Sequence, residues 1–195
     1  GAKGTVLGHH GGVEHVIIDF ADRDLRKMTQ DDKILIRSFG QGLKLLDYPD
    51  VHAFSLSPTV LAKWGLKANR DGTLSVPVTT VVPAEVMGSG LGAQPAATGD
   101  YDIMTSDPEI TKAHGIDKIR FGDFVAILDH DNRYGRALRR GAVTIGIVIH
   151  SDSVLAGHGP GVTTLLTAEK PILKPVIRRT ANLGKLLAIG RHRAK

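Results

Sequence analysis

The chain has 195 residues, of which 42% are hydrophobic and 23% charged, with no cysteine and a formal net charge of +5. Those values are ordinary for a globular domain, and they exclude a disordered chain, a disulfide scaffold, a thiolate metal site and a cysteine nucleophile. No stretch reaches the roughly 18 consecutive apolar residues of a membrane span, and the start GAKGTVLGHHGG lacks a signal-peptide core. A soluble, cytoplasmic, single domain over residues 1–195 is therefore expected.

In chain order, AKGTVLG and VEHVIIDF are β-rich runs separated by HHGG, which predicts a hairpin, because glycines supply the positive φ of a tight turn. KILIRSF (33–39) reads as another strand, and TLSVPVTTVV (73–82) as a further one. Pro77 and Pro83 place that run at an edge or make it break early. DFVAILD and AVTIGIVIH are almost continuously apolar, as strands buried on both faces are.

Three short helices are marked by their ends. In SPTVLAKWG, Ser57 caps, Pro58 takes the first helical position and Gly65 stops the helix. Asp107, Pro108 and Gly115 do the same in SDPEITKAHG. The third runs from about Ala181 to Ile189, after Thr180 and before Gly190. About eight to ten strands with about three short helices predict a mainly β (α+β), barrel-like domain. Long alternating strand and helix units are missing, so no doubly wound nucleotide-binding sheet is expected.

GSGLGAQPAATGD (88–100) is a long loop of small residues. Gly88 to Ala93 match the spacing of a dinucleotide fingerprint, but Gln94-Pro95 follows where a helix should open, so no nucleotide cofactor is expected. Amides around Ser89 could still cradle an anion and make Ser89 a substrate contact. The loop ends in GDYDI, where Asp100 and Asp102, two apart on an extended chain, face one side and could share a metal, a proton or a substrate. Solvated turn carboxylates are the bland alternative.

LDHDNRYGRALRRG connects the two apolar strands and is rich in arginine. Arg133 and Arg136 are candidate anchors for a carboxylate or phosphate of a small-molecule substrate, the alternative being an exposed hairpin tip. In HSDSVLAGHG, His150, Asp152 and His158 fall within nine residues where an apolar strand ends. Neutral imidazoles with a carboxylate suit a divalent ion such as Zn, Mn or Fe, and the same three groups could act as acid, base and orienter without one. His9, His10 and His15, beside the first hairpin turn, could complete such a site.

Between Arg178 and Lys195 there are six basic residues and no acidic one. A basic tail can touch nucleic acid, though a solvated terminal helix explains it as well.

KGTVLGHHGGVEHVIIDF, FGQGLKLLDYPDV, VMGSGLG, GDYDI, RFGDFVAILDHD, YGR, GAVTIGIVIHSDS and AGHGPGVTTLLT, in this order, resemble the prokaryotic family known as domain of unknown function 4438. The resemblance implies a cradle-loop type of β-barrel and carries no activity with it. It also implies a further amino-terminal region ahead of KGTV, the present chain corresponding to the family's C-terminal two-thirds. An apolar face left open in this way is expected to be covered in a homo-oligomer or by a separate N-terminal chain. Three functions follow: a metal-assisted hydrolase or lyase acting on a small molecule, a structural or assembly subunit without chemistry, and a basic module associated with nucleic acid or the ribosome.

Overall fold

A computed structural model describes residues 1–11, 15–88, 96–153 and 158–194. The chain is mostly β with a few short helices, and among the described residues its three sheets do not close into a barrel. The strands are β1 (Thr5–His10), β2 (His15–Asp19), β3 (His52–Ala53), β4 (Lys67–Ala68), β5 (Leu74–Val78), β6 (Thr80–Val82), β7 (Tyr101–Asp102), β8 (Phe124–Asp131), β9 (Ala137–His150), β10 (Gly161–Ala168) and β11 (Leu173–Ile177). The helices are α1 (Asp22–Leu25), α2 (Pro58–Trp64), α3 (Pro108–Ala113) and α4 (Leu183–Leu187).

The main sheet runs β3, β10, β9, β8, β6, and β7 pairs with β10 on the same side as β3 but at its other end. Alternation explains why its strands are apolar throughout. Phe124 and Ala126 of β8, with Ile145, Ile147 and Ile149 of β9, enter one core with Trp64, Val76 and Val78. Val125 and Ile127 of β8 and Val148 of β9 enter a second with Met87, Tyr101, Ile103 and Val162. Both faces of the sheet are therefore covered, as period-2 geometry requires of such runs.

Local chemistry sets the helices. Ser57 Oγ accepts from Val60 N at 3.2 Å and Gly65 ends α2 at φ +82°. Asp107 accepts from Glu109 N and Ile110 N at 2.8 and 3.3 Å. The third helix is shorter than expected, because Asn182 and not Thr180 caps it, accepting from Gly184 N at 2.9 Å. Asn182 Nδ2 also donates to Asp123 Oδ1 at 2.8 Å, a buried tertiary contact that Thr180 lacks.

One strand expectation holds in part and another is corrected. TLSVPVTTVV divides into β5 and β6, and β5 lies in the middle of the small sheet β11, β5, β4. Pro77 is tolerated there because β4 pairs only with Leu74 and Ser75. KILIRSF forms no strand. Ile34, Ile36 and Phe39 are exposed, and Leu35 is 98% exposed. These residues border a hollow of about 1650 Å³, also lined by residues 1–7, Phe20 and Phe54. The run has strand propensity and pairs with no strand among the described residues, and tertiary partners decide such cases.

The β1–β2 hairpin lies on the main sheet. A Cβ on Gly8 would overlap the Ile149 side chain, and Thr163 Oγ1 donates to His9 O at 3.3 Å. At the other terminus Arg193 pairs with Asp19 and donates to Phe20 O, so part of the basic tail is committed to the hairpin. No helix of the described residues is long and apolar enough to cross a membrane.

Candidate metal centre

The site forms where three strands end together. His150 is the last residue of β9 and pairs with Gly161 of β10, which on its other side pairs with Asp102 of β7. A backbone bridge, Ser153 N to His158 O at 2.9 Å, closes the following loop and returns His158 to the same place. His10, the last residue of β1, enters from above, its ring centroid 4.7 Å from that of His150.

His150 is the centre of the cluster. Its Nε2 lies 3.0 Å from Asp100 Oδ2 and 3.3 Å from Asp102 Oδ1. Asp102 Oδ1 is also 3.3 Å from His158 Nδ1. Two overlapping sets result, His10 with Asp100 and His150, and Asp102 with His150 and His158, the ligand atoms of each lying within 4.8 Å of one another. Histidine nitrogens and carboxylate oxygens at such spacing suit a first-row divalent ion.

Supporting bonds orient the donors. Ser151 O lies 2.8 Å from His150 Nδ1, nearer than Gly161 N at 3.3 Å, so Nδ1 carries a proton and donates to Ser151 O, while Nε2 faces the carboxylates and donates to them when the ring is charged. Asp100 is buried, and Gly11 N donates to its Oδ1 at 2.6 Å, leaving Oδ2 for His150. A side chain at position 161 would overlap both His150 Nε2 and Asp100 Oδ2, so only glycine lets β10 pass so close. His150, Asp102 and His158 remain partly exposed and open to solvent.

Electrostatics follow from the geometry. The hydrogen bond to Asp100, then that to Asp102, raises the pKa of His150 to about 10, while burial opposes the shift. A raised folded-state pKa contributes stability that is fully present below the ordinary value of 6.5 and is lost as pH rises through about 10. The groups facing it are Asp100 just before β7, Asp102 on β7, His10 on β1 and His158 beyond the loop. Urea unfolding of the metal-free protein is thus expected to show stability falling between pH 6.5 and 10, with a much flatter profile in His150→Gln; equal slopes in the two proteins would refute the pairing.

Four of the residues expected from the sequence converge here: Asp100, Asp102, His150 and His158. Asp152 does not belong to either set. It is exposed, and its partner is Thr105 Oγ1 at 3.4 Å. Ser89, with most of the glycine-rich loop, lies outside the described residues. Arg133 is engaged elsewhere, its guanidinium on Asp131 at 2.8 to 3.2 Å and on Glu169 at 2.6 Å. Arg136 is exposed in the β8–β9 connection, in the neighbourhood of Tyr101 and His130. Of the hairpin histidines only His10 joins a set, because neighbours on a strand alternate, and His9 Nδ1 instead meets Thr98 O.

No curated protein matches the chain. A solved structure described as the crystal structure of TM1086 is 47% identical, with a TM-score of 0.85 over 93% of this chain. The match spans 63% of the TM1086 chain. The family described as domain of unknown function (DUF4438) matches in two parts, its N-terminal region over residues 1–62 and its C-terminal region over 63–187. The two-thirds boundary expected from the resemblance is corrected by this, since residues 1–62 fall in the family's N-terminal part. With both regions matched over nearly the whole of its length, the chain belongs to the DUF4438 family.

Proposed function

We propose that the protein is a metal-dependent enzyme acting on a small molecule, of the hydrolase or lyase type, with His150, Asp100 and Asp102 as the central donors and His10 or His158 completing the set. One observation carries the reading: donors from residues 10, 100, 102, 150 and 158, far apart in the chain, meet within 4.8 Å in two sets that share His150. Imidazoles grouped with carboxylates in this way are a donor set that suits Zn, Mn or Fe. A bound divalent ion supplies a polarised carbonyl or an activated water at neutral pH. The protein's own part is to hold Asp100 by the Gly11 amide, to fix the His150 tautomer by Ser151 O, and to leave the face of Asp102 and His158 accessible.

Metal analysis of protein purified without a polyhistidine tag tests this. About one ion per chain, or saturable uptake of Zn, Mn or Fe after chelation, is expected. Failure of all three to bind would sink the reading.

A second reading, assembly, is favoured by a separate observation. Ile34, Leu35, Ile36 and Phe39 form an exposed apolar run with strand propensity and no pairing partner among the described residues. Such runs recruit another chain. Self-association in light-scattering measurements, abolished by Leu35→Glu, is the expected result; a monomer at all concentrations removes a homo-oligomer from consideration. The basic-module reading retains less support, because Arg193 is engaged by Asp19.

A further inference from the structure

A second hollow, of about 360 Å³, lies between the β1–β2 hairpin, the turn before β8 and the segment from α4 to residue 192. Ligand pockets run from roughly 300 to 1,000 Å³, so it has room for a small molecule. It shares no residue with the two donor sets of the metal centre. Ile147 and Val148 of β9 and Leu183 of α4, all buried, line it, and Leu7, Ile189 and the exposed Phe121 add to the apolar wall. Glycine lets these walls approach one another. A Cβ on Gly184 would stand 3.2 Å from the His192 ring and 3.1 Å from Asn182 Oδ1, and one on Gly122 would stand 3.3 Å from Asn182 Nδ2.

The class of ligand follows from which polar groups of the wall are still available. Asn182 is committed, since its Nδ2 donates to Asp123 Oδ1 at 2.8 Å and to Phe121 O at 3.0 Å, and its Oδ1 accepts from Gly184 N at 2.9 Å. Gly122 N donates to Val148 O and Gly122 O accepts from Leu183 N, both at 2.7 Å. Asp19 is neutralised by Arg193 and also accepts from Gly190 N at 3.4 Å. Two side chains remain. Arg191 and His192 line the same hollow, and neither side chain has a hydrogen bond or ion pair among the described residues.

A sugar or nucleobase needs several free donors and acceptors in the wall, and the committed groups leave none for it. A cation would meet Arg191. An arginine fork, by contrast, grips a carboxylate through two parallel bonds, and an imidazole N–H adds a third donor. The complement of this hollow is an apolar body that ends in one carboxylate.

We propose that the hollow binds a small monocarboxylic acid with an apolar body, of the medium-chain fatty or arylalkanoic type, its body against Ile147, Val148 and Leu183 and its carboxylate on Arg191 and His192. The site goes beyond the metal-enzyme reading and stands whether or not an ion is bound.

Calorimetric titration of the full chain with octanoate and with 3-phenylpropionate, each with and without a chelator, tests it. One saturable site is expected, with the same affinity in both conditions. The neutral analogue 3-phenylpropanamide should bind more weakly by roughly ten- to a hundredfold, the worth of hydrogen bonds to a charged group. That comparison needs no substitution and so does not depend on folding of a variant. Arg191 is exposed, and Arg191→Glu should cause a loss of similar size in a folded protein. Amide resonances of Val148, Leu183 and Ile189 should shift on titration. Binding of neither acid, equal affinity for acid and amide, an unchanged affinity in Arg191→Glu, or loss of binding with the chelator, which would put the carboxylate on the metal centre, would each overturn the assignment.

Discussion

Replacing His150 by alanine is expected to abolish divalent metal binding, because His150 belongs to both donor sets and its Nε2 is the atom nearest both carboxylates. Loss of an outer partner of a ligand costs roughly 10–100-fold in affinity, and loss of the shared ligand should exceed that. Asp152→Ala is the informative companion. Asp152 is exposed and bonded to Thr105, so metal uptake measured by calorimetry should be unchanged. If Asp152→Ala abolished binding while His150→Ala left it intact, a donor set centred on His150 would be refuted. The alanine at 150 also removes the ion pairs of Asp100 and Asp102, so circular dichroism and a urea profile should accompany the titration to separate loss of a ligand from loss of the fold.

Gly161→Ala should do comparable damage with one methyl group. Its Cβ would overlap His150 Nε2 and Asp100 Oδ2. Neither side chain is free to yield, since His150 is held by Ser151 O and Asp100 by Gly11 N. Gly161 does not have a positive φ, so the cost is steric and not conformational. Overpacking of this kind costs roughly 1–3 kcal/mol, which a domain of this size survives. The expected phenotype is a folded protein with a modestly lowered urea midpoint and a metal affinity reduced by at least tenfold. Gly159→Ala provides a contrast, because its Cβ would overlap the backbone oxygen of Ile103 and so strain the β7 region itself. A larger stability loss is expected there. Wild-type metal affinity in Gly161→Ala would show that His150 can move aside and that the close passage of β10 is not required.

Several features were legible from local chemistry. Ser57 and Asp107 cap their helices, with Gly65 and Gly115 in left-handed conformations, because capping depends on residues within a turn of one another. The apolar runs in β8 and β9 correctly implied burial on two faces. The placing of Asp100 and Asp102 on one side of an extended segment followed from period-2 geometry, and both carboxylates stand beside His150 Nε2. Where local signals competed with distant partners they misled. KILIRSF has the composition of a strand but pairs with no strand among the described residues, and the third helix begins later than Ala181 because Asn182, held by Asp123, caps it.

The candidate site shows the division most clearly. Imidazoles at 150 and 158 and carboxylates at 100, 102 and 152 were legible in the sequence as candidate donors, since cysteine is absent and these residues cluster in glycine-rich, strand-ending segments. Proximity in the chain made Asp152 look like their partner. In the tertiary structure Asp100 and Asp102, and not Asp152, stand beside His150, because β10 pairs with β9 on one side and β7 on the other and so sets residues fifty positions apart side by side. The choice of His10 over His9 and His15 was likewise made by how the hairpin lies on the sheet. Sequence specifies donors and local turns because those depend on covalent neighbours; the assembly of a site depends on strand order and register, which long-range pairing decides.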